Sequence, residues 1–184
     1  MTDTAPHPPV TVCRADAERW RDYRGVRLAM LLDEPTAFGS TFMREVELSD
    51  ENWRERLARV ATWLAYDGAL PLGSVTMQQS TDQAAQERYL VGMWVAAHAR
   101  GRGVAQALVR ALLDEAAGEG ARRVVLHVGE GNARAARFYE GMGFTPTGDT
   151  CVLEHQPGII EVELECLVSP GAFPGFSQPR HGEL

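Results

Sequence analysis

Two kinds of hydrophobic periodicity divide the chain into seven predicted strands and four predicted helices. Alternating apolar and polar residues, or short apolar runs bounded by turn residues, predict strands. These segments are residues 10–14, 62–67, 72–79, 88–96, 122–128, 147–154 and 159–168. Apolar residues three and four positions apart predict helices. These run from Asp16 to about Leu32, from Ser49 onward, over Gly103–Ala117 and over Asn132–Met142.

The order of these elements predicts a mixed sheet. Strands and helices alternate only across residues 88–128, which predicts one βαβ crossover. The strand at 88–96 contains Gly92, and a glycine inside a strand indicates a bulge or the close approach of another backbone.

A chain of 184 residues is long enough for one hydrophobic core, and its length argues against two full domains. We expect a Pro-rich, mobile arm over residues 1–8, one domain over 9–168 and an irregular tail over 169–184. The longest nearly apolar stretch, Val91–Ala97, is too short to span a bilayer, and the first ten residues lack the pattern of a signal peptide. We therefore expect no membrane partner.

The charges are weighted towards acid, since 25 Asp and Glu residues outnumber 18 basic ones and give a net charge of −7. This balance argues against nucleic-acid binding and mildly favours cationic ligands. All the basic residues are arginine, which excludes a P-loop lysine or a Schiff-base lysine. Three widely separated cysteines favour a reduced cytosol. No spacing of His, Cys, Asp or Glu predicts a metal site.

A glycine-rich loop joins the strand at 88–96 to the next helix. Gly101 and Gly103 let a ligand approach the backbone closely, and the free N–H groups at the start of a helix suit a phosphate or pyrophosphate. Arg100 and Arg102 add positive charge. A dinucleotide-binding fingerprint needs a third glycine where the chain has Gln106. The loop alone leaves a phosphate site and a plain tight turn both open.

Two segments carry the most specific patterns in the chain. Arg100–Ala105 reads RGRGVA, and Asn132–Phe144 reads NARAARFYEGMGF. They resemble the R/Q-x-x-G-x-G/A signature and the N-x-x-A-x-x-x-Y-x-x-x-G-F segment of the GNAT superfamily of acetyl-CoA-dependent N-acetyltransferases. The resemblance is close over residues 88–145. It implies an α/β (α+β) fold with a mixed, mostly antiparallel sheet, a central βαβ crossover and a splayed strand pair, flanked by about four helices.

The same resemblance implies acetyl-CoA as co-substrate. Its pyrophosphate would lie on the loop and the first turn of the following helix, and its pantetheine arm along the exposed edge of the preceding strand. The implied pyrophosphate contacts are Arg100, Gly101, Arg102, Gly103, Val104, Ala105 and Gln106. The implied contacts of the arm are Met93, Trp94, Val95 and Asn132. The strand must then splay from the strand at 122–128, which a bulge at Gly92 would allow.

Acetyl transfer to an amine needs a base for the amine proton and is helped by an acid for the departing thiolate. The resemblance implies Tyr139 as this acid; the alternative is an aromatic residue that packs on the apolar face of its helix. His127 is the candidate base, since imidazole titrates near neutral pH. Family members that acetylate protein N-termini have a glutamate at this strand position. A histidine bonded within the sheet, or one that only lines a cleft, is the alternative.

The implied reaction is direct attack of a neutral primary amine in a ternary complex. The expected acceptor is a small-molecule amine or a peptide N-terminus, bound by the segments near 25–45 and before the last strand. Arg27 and Arg44 are candidates to hold an acceptor carboxylate. A homodimer paired through the last strands is a further expectation. The alternative function is a non-catalytic acyl-CoA-binding or regulatory domain.

Overall fold

The structure, a computed structural model, describes residues 9–79, 86–152 and 158–169. The strands are β1 (Thr11–Arg14), β2 (Ala61–Asp67), β3 (Leu70–Gln78), β4 (Glu87–Val95), β5 (Arg123–Gly129), β6 (Thr145–Val152) and β7 (Ile160–Leu167). The helices are α1 (Trp20–Asp33), α2 (Phe42–Val46), α3 (Asp50–Arg59), α4 (Val104–Gly118) and α5 (Ala133–Gly141). The predicted arm over 1–8, and all of the predicted tail after residue 169, lie outside the described residues.

The structure confirms the predicted fold class and the order of the predicted elements, and it adds one short helix. Asp16 accepts the N–H groups of Glu18 and Arg19, so it caps a single 3₁₀ turn that leads into α1. The extra helix, α2, begins after Thr41, whose side chain accepts the N–H of Arg44. The sequence predicts no helix there because five residues are too few to show helical periodicity.

The sheet has the spatial order β1-β2-β3-β4-β5-β7-β6. Among the described strands, β4 and β5 are the one parallel pair, and the chain between them forms α4. The other neighbouring strands are antiparallel. The predicted βαβ crossover is therefore confirmed, and it lies at the centre of the sheet.

The two central strands pair at one end only. Pairing of β4 with β5 begins at Glu87–Arg123 and ends at Tyr89–Val125. Among the described residues, none in β4 after Tyr89 pairs with β5. This confirms the predicted splay.

A bulge bends β4 where the splay begins. Ser74 of β3 lies opposite Trp94, while Thr76 lies opposite Val91, so β4 has one residue more than its partner. Gly92 lies in this bulge with a φ of +58°, in the left-handed region that glycine adopts without strain. The bulge predicted from this glycine is confirmed.

A hydrophobic core lies on each face of the sheet. On one face, α4 buries Leu108 and Leu112 together with Tyr139 of α5. On the other face, α1 and α3 bury Tyr23 and Trp53 against β2. Side chains alternate along a strand, so successive residues of a central strand face different layers of helices. Of the helices described here, none is both long and apolar enough to cross a membrane.

Candidate active site

A cleft of about 1270 Å³ opens where β4 and β5 separate. The second half of β4 forms one wall, and β5 with the start of α5 forms the other. One end reaches the loop before α4, and the opposite end reaches side chains of α1 and α3. Because α4 and α1 cover different faces of the sheet, the cleft connects the two faces through the gap between the strands.

The start of α4 forms the floor of one end of the cleft. Gly101 and Gly103 have φ values of +78° and +80°, so the loop takes a left-handed course that side chains oppose. Gly103 is the N-cap of α4 and offers no side-chain acceptor. Within the described part of the chain, no side chain caps the following N–H groups, which include those of Val104 and Ala105. They give this end of the cleft the character of an anion site.

The two arginines of the loop are already paired with carboxylates. Arg100 donates from Nε to the main-chain oxygen of Val95 at 2.9 Å and from Nη2 to Asp33 at 2.6 Å. Arg102 donates to Asp67 at the end of β2 at 2.7 Å. These ion pairs fix the loop to the sheet and to α1.

Asp33, the last residue of α1, connects three parts of the site. Its Oδ2 atom accepts the indole N–H of Trp94 at 2.9 Å as well as the guanidinium of Arg100. The hydrogen bond from Trp94 and, after it, that from Arg100 lower the pKa of the Asp33 carboxyl. Because the carboxyl stays ionised, it holds α1, β4 and the glycine loop in one arrangement.

The edge of β4 that faces the gap carries main-chain groups that no described strand pairs with. Met93, Trp94 and Val95 line the cleft. On their other side, β4 pairs with β3, where Val95 lies opposite Gly73. Apart from the Val95 oxygen bound by Arg100, the groups that point into the gap are available to an extended ligand.

A sequence model of the acetyltransferase (GNAT) family matches residues 24–144. The chain belongs to the GNAT acetyltransferase family. This confirms the resemblance seen in the two sequence segments, and the match extends well beyond them.

Individual relatives agree with this assignment. Mycothiol acetyltransferase of Corynebacterium glutamicum is 33% identical over 120 residues, which are 65% of this chain and 39% of that protein. The chain thus spans less than half the length of this curated relative.

Solved structures share the fold. A GNAT-family acetyltransferase from Streptococcus pneumoniae has a TM-score of 0.71 at 18% identity, over 87% of this chain and 100% of that chain. A Salmonella typhimurium acetyltransferase solved with its cofactor acetyl-CoA has a TM-score of 0.71 at 17% identity, over 91% of this chain and 99% of that chain. At these identities the likeness concerns the fold alone.

In this GNAT chain, His127 lies on β5 beyond the last pair with β4 and lines the cleft. Its ring stacks on Tyr89, with centroids 6.2 Å apart and planes 10° apart. Its Nε2 atom lies 3.5 Å from the carboxylate of Glu163 on β7. Its neighbours Leu126 and Val128 face the core that contains α4. His127 therefore points to the face that carries α1 and α3.

Tyr139 approaches the cleft from the opposite face. It lies in the core with α4, and the rings of Phe138 and Phe144 contact it edge-on at 5.0 and 5.5 Å. Burial raises the pKa of its phenol above the usual range, which keeps the hydroxyl protonated. Within the described residues, no hydrogen bond occupies this hydroxyl, and Tyr139 also lines the cleft. A protonated hydroxyl without an internal partner can donate into the cleft.

Asn132 is the N-cap of α5 and lines the cleft. Its side-chain oxygen accepts the N–H of Ala135 at 3.0 Å. No described residue bonds to its amide nitrogen, so this donor is available to a ligand.

The site residues predicted from the sequence line the cleft, with one exception. All of the predicted catalytic and cofactor contacts line it except Arg102, whose side chain turns to Asp67. The roles of these residues stay predictions. Of the two arginines suggested for an acceptor carboxylate, Arg27 lines the cleft, whereas Arg44 is exposed and lies outside it.

Sequence reasoning misses three residues that shape the site: Asp33, Arg56 and Glu163. The last of them leaves a readable pattern, because glutamates alternate at 161, 163 and 165 on the predicted final strand and so share one face. Its pairing with His127 depends on the β5–β7 register, which no local pattern reveals. Asp33 and Arg56 join the site only through the packing of α1 and α3. Across the ranges that the structure describes, no group of His, Cys, Asp and Glu is arranged to hold a metal ion.

Proposed function

We propose that the protein is an N-acetyltransferase that moves an acetyl group from acetyl-CoA to a primary amine by direct attack in a ternary complex. The observation that carries this proposal is the unpaired edge of β4 beside the start of α4. An extended ligand with amide groups pairs with such an edge, and a pyrophosphate suits the start of a helix. Membership of the GNAT acetyltransferase family supports the reaction class.

The residues of the cleft fit the parts of acetyl-CoA. When bound, acetyl-CoA supplies a thioester whose acyl group is activated for transfer. The main-chain N–H groups from Gly103 to Gln106 would hold the pyrophosphate. The edge of β4 from Met93 to Val95 would pair with the pantetheine arm, and the Asn132 amide nitrogen would donate to it. Main-chain N–H groups of the same edge would stabilise negative charge on the thioester oxygen.

His127 and Tyr139 would divide the proton transfers between the two faces of the sheet. His127 would take the proton of the amine, directly or through one water, on the face that carries α1 and α3. Tyr139 would give its proton to the sulfur from the face that carries α4. This division supports the proposal, because the base and the acid act on different atoms and need different approaches.

The acceptor would be a small-molecule amine or a peptide N-terminus. It would enter from the end of the cleft formed by α1 and α3, since the pyrophosphate of acetyl-CoA would occupy the other end. We also propose a cytoplasmic location, which the three free thiols at Cys13, Cys151 and Cys166 support. The homodimer stays a prediction, and sedimentation velocity of the purified chain measures it.

The first test is isothermal titration with acetyl-CoA, with ATP and NAD as controls. We expect saturable binding of acetyl-CoA alone. A folded sample that binds none of the three contradicts the proposal at its first step.

The second test measures thiol release with a panel of amines. We expect His127→Ala to lower turnover by about 10²- to 10⁴-fold, the range of a general base. His98→Ala is the matched control, because His98 is exposed and lies outside the cleft. Binding of acetyl-CoA without turnover of any amine would indicate the non-catalytic acyl-CoA-binding domain instead.

A further inference from the structure

Two arginines share one buried carboxylate at the end of the cleft opposite the glycine loop. Glu45 of α2 is only 2% exposed. It accepts from Arg27 of α1 at 3.0 Å (Nε) and 2.7 Å (Nη2), and from Arg56 of α3 at 2.8 Å. Arg27 and Arg56 line the cleft, whereas Glu45 does not. Among these three residues, two guanidinium groups against one carboxylate leave one positive charge.

The third guanidinium nitrogen of Arg27, Nη1, is only weakly hydrogen-bonded. It contacts the sulfur of Met30 at 3.7 Å, and a thioether is a weak acceptor. No stronger acceptor bonds to Nη1 within the described residues. The same atom lies 4.0 Å from the position that a Cβ on Gly92 would take. The spare donor is therefore at the β4 bulge, where the proposed acetyl site begins.

The surroundings fix the guanidinium of Arg27 in place. Glu45 binds it through two parallel hydrogen bonds, the geometry that orients arginine best. The ring of Phe38 lies 5.7 Å from its centre, and the side chain of Arg27 is only 14% exposed. An arginine fixed in this way loses little conformational entropy when it binds a second anion.

We infer that the acceptor carries an anionic group, a carboxylate or a phosphate, which Arg27 binds with help from Arg56. This inference rests on the proposed acetyl transfer and narrows its substrate to amines that carry a negative charge close to the reacting nitrogen. A planar guanidinium suits both anions.

The opposite wall of the cleft suits the other end of such a molecule. Glu161 of β7 lines the cleft, and Glu163 lies beside His127 on the same face of the sheet. Carboxylates there attract an ammonium group towards His127 before it loses its proton. The cleft thus has the positive charge of Arg27 at one wall and the carboxylates of Glu161 and Glu163 at the other. A zwitterion, with an anionic group and an ammonium group, matches this arrangement.

The test uses pairs of probes in which one member carries the anionic group and the other lacks it. One set is the L-amino acids with their primary amides, and the other is O-phosphoethanolamine with ethanolamine. Each probe is titrated into the protein saturated with CoA and is also assayed for thiol release from acetyl-CoA. We expect the anionic member of at least one set to bind and react at least ten times better than its neutral partner. The set that shows this preference distinguishes a carboxylate from a phosphate.

The preference must depend on Arg27. We expect Arg27→Gln to reduce the ratio between partners to near one while the affinity for acetyl-CoA stays within about twofold. Arg54→Gln is the matched control, since Arg54 lies on α3 outside the cleft and pairs with Glu51. Because Arg27→Gln leaves a buried carboxylate with one partner fewer, the double variant Arg27→Gln/Glu45→Gln is measured beside it. The double variant removes one charge of each sign and should lose the preference in the same way.

The outcomes separate this inference from the proposed function. The anion site is wrong if neutral probes are acetylated as fast as anionic ones, or if the preference survives both variants. Either result is compatible with the proposed acetyl transfer. Binding of anionic probes that depends on Arg27, without acetylation of any amine, supports the anion site and contradicts the acetyltransferase proposal. If no anionic probe binds the CoA-saturated protein, the anion site is wrong.

Discussion

The Nε2 atom of His127 lies 3.5 Å from the carboxylate of Glu163, and the two residues are direct partners in the β5–β7 ladder. The carboxylate is thus placed to orient the ring and to stabilise its positive charge after it takes a proton. Tyr89 stacks on the same ring and limits its rotation. If His127 is the base, as proposed, the carboxylate and the stacked aromatic ring would hold its imidazole in place beside the cleft.

Glu163→Gln should lower kcat about 10-fold, a part of the 10²- to 10⁴-fold that a general base contributes. The KM for acetyl-CoA should stay constant, because Glu163 acts through His127 rather than on the cofactor. Glu163→Asp should restore part of the loss. Steady-state kinetics with Glu165→Gln as control checks this, since Glu165 lies on the same face of β7 but pairs with Arg123. Equal losses in both variants would indicate general damage to the strand instead.

Tyr139→Phe should lower kcat about 10-fold with little change in the KM values, because it removes only the proposed proton donor. The raised pKa keeps the phenol protonated up to pH 10. The pH profiles of kcat for the wild type and for Tyr139→Phe should therefore have the same shape up to that pH. Tyr66→Phe removes another buried hydroxyl, which bonds to Asp22 outside the cleft. Its kcat should match wild type; a loss like that of Tyr139→Phe would remove the case for an acid.

Gly103→Ala should weaken acetyl-CoA binding, and Gly120→Ala should not. The two glycines flank α4 with φ values of +80° and +79°, and no described neighbour lies within 4 Å of a Cβ added to either. Both changes should cost a similar free energy of unfolding, about 1–2 kcal/mol for a left-handed residue. Denaturant unfolding measures this cost, and titration measures the affinity. Equal affinities for the two variants would mean that the loop before α4 is only a turn.

Gly73→Ala should damage both stability and acetyl-CoA binding. A Cβ at Gly73 would collide with the main-chain oxygen of Trp94, in the stretch of β4 that follows the bulge. Because a backbone atom cannot move aside cheaply, we expect a loss of about 1–3 kcal/mol and a displaced β4 edge. Gly25→Ala in α1 is the control. No neighbouring residue that the structure describes lies within 4 Å of the new Cβ, and alanine should stabilise the helix by about 0.5–1 kcal/mol. Unchanged acetyl-CoA affinity in Gly73→Ala would refute the role of this edge.

Acid should weaken the fold through Glu45. Burial alone would raise the pKa of its carboxyl, but the hydrogen bond and charge of Arg27 and the hydrogen bond from Arg56 lower it from 4.5 to about 2. A lowered pKa stabilises the folded state fully above pH 4.5, and this contribution is lost as the pH falls towards 2. Its size is about 3 kcal/mol.

Urea unfolding of wild type and Glu45→Gln between pH 7 and pH 2 measures this contribution. The variant should start less stable and should lose less stability over the acid range. Parallel curves for the two proteins would assign the acid sensitivity to other groups.

The sequence predicts the parts of the fold that local patterns encode. The stripe of α4 and the alternation of β5 follow from periodicity. Gly92 indicates a bulge or a close backbone approach, and the structure has the bulge. The short helix α2 shows no such pattern, so its buried Glu45 cannot be recognised from its neighbours in the chain. Arg44, beside it, looks equally suitable for binding an anion, yet the helix turns it to solvent.

The candidate site follows the same division. Residues within the loop and the two family segments could be located from the sequence, since they depend on the chain near them. Contacts between residues on different strands could not be predicted from the sequence, and the contact of Glu163 with His127 is one example. Arg102 is the opposite case, a charge that the sequence assigns to a ligand and that the fold joins to Asp67.

The separation of β4 from β5 leaves the sheet incomplete at its centre. A molecule that pairs with the open edge of β4 adds in effect another strand, so its binding free energy becomes part of the resistance of the whole protein to unfolding. At a concentration 100 times its Kd, such a molecule adds about 2.7 kcal/mol. Heat tolerance and protease resistance should therefore follow the supply of the acyl donor, and the amount of folded protein in the cell would rise and fall with it.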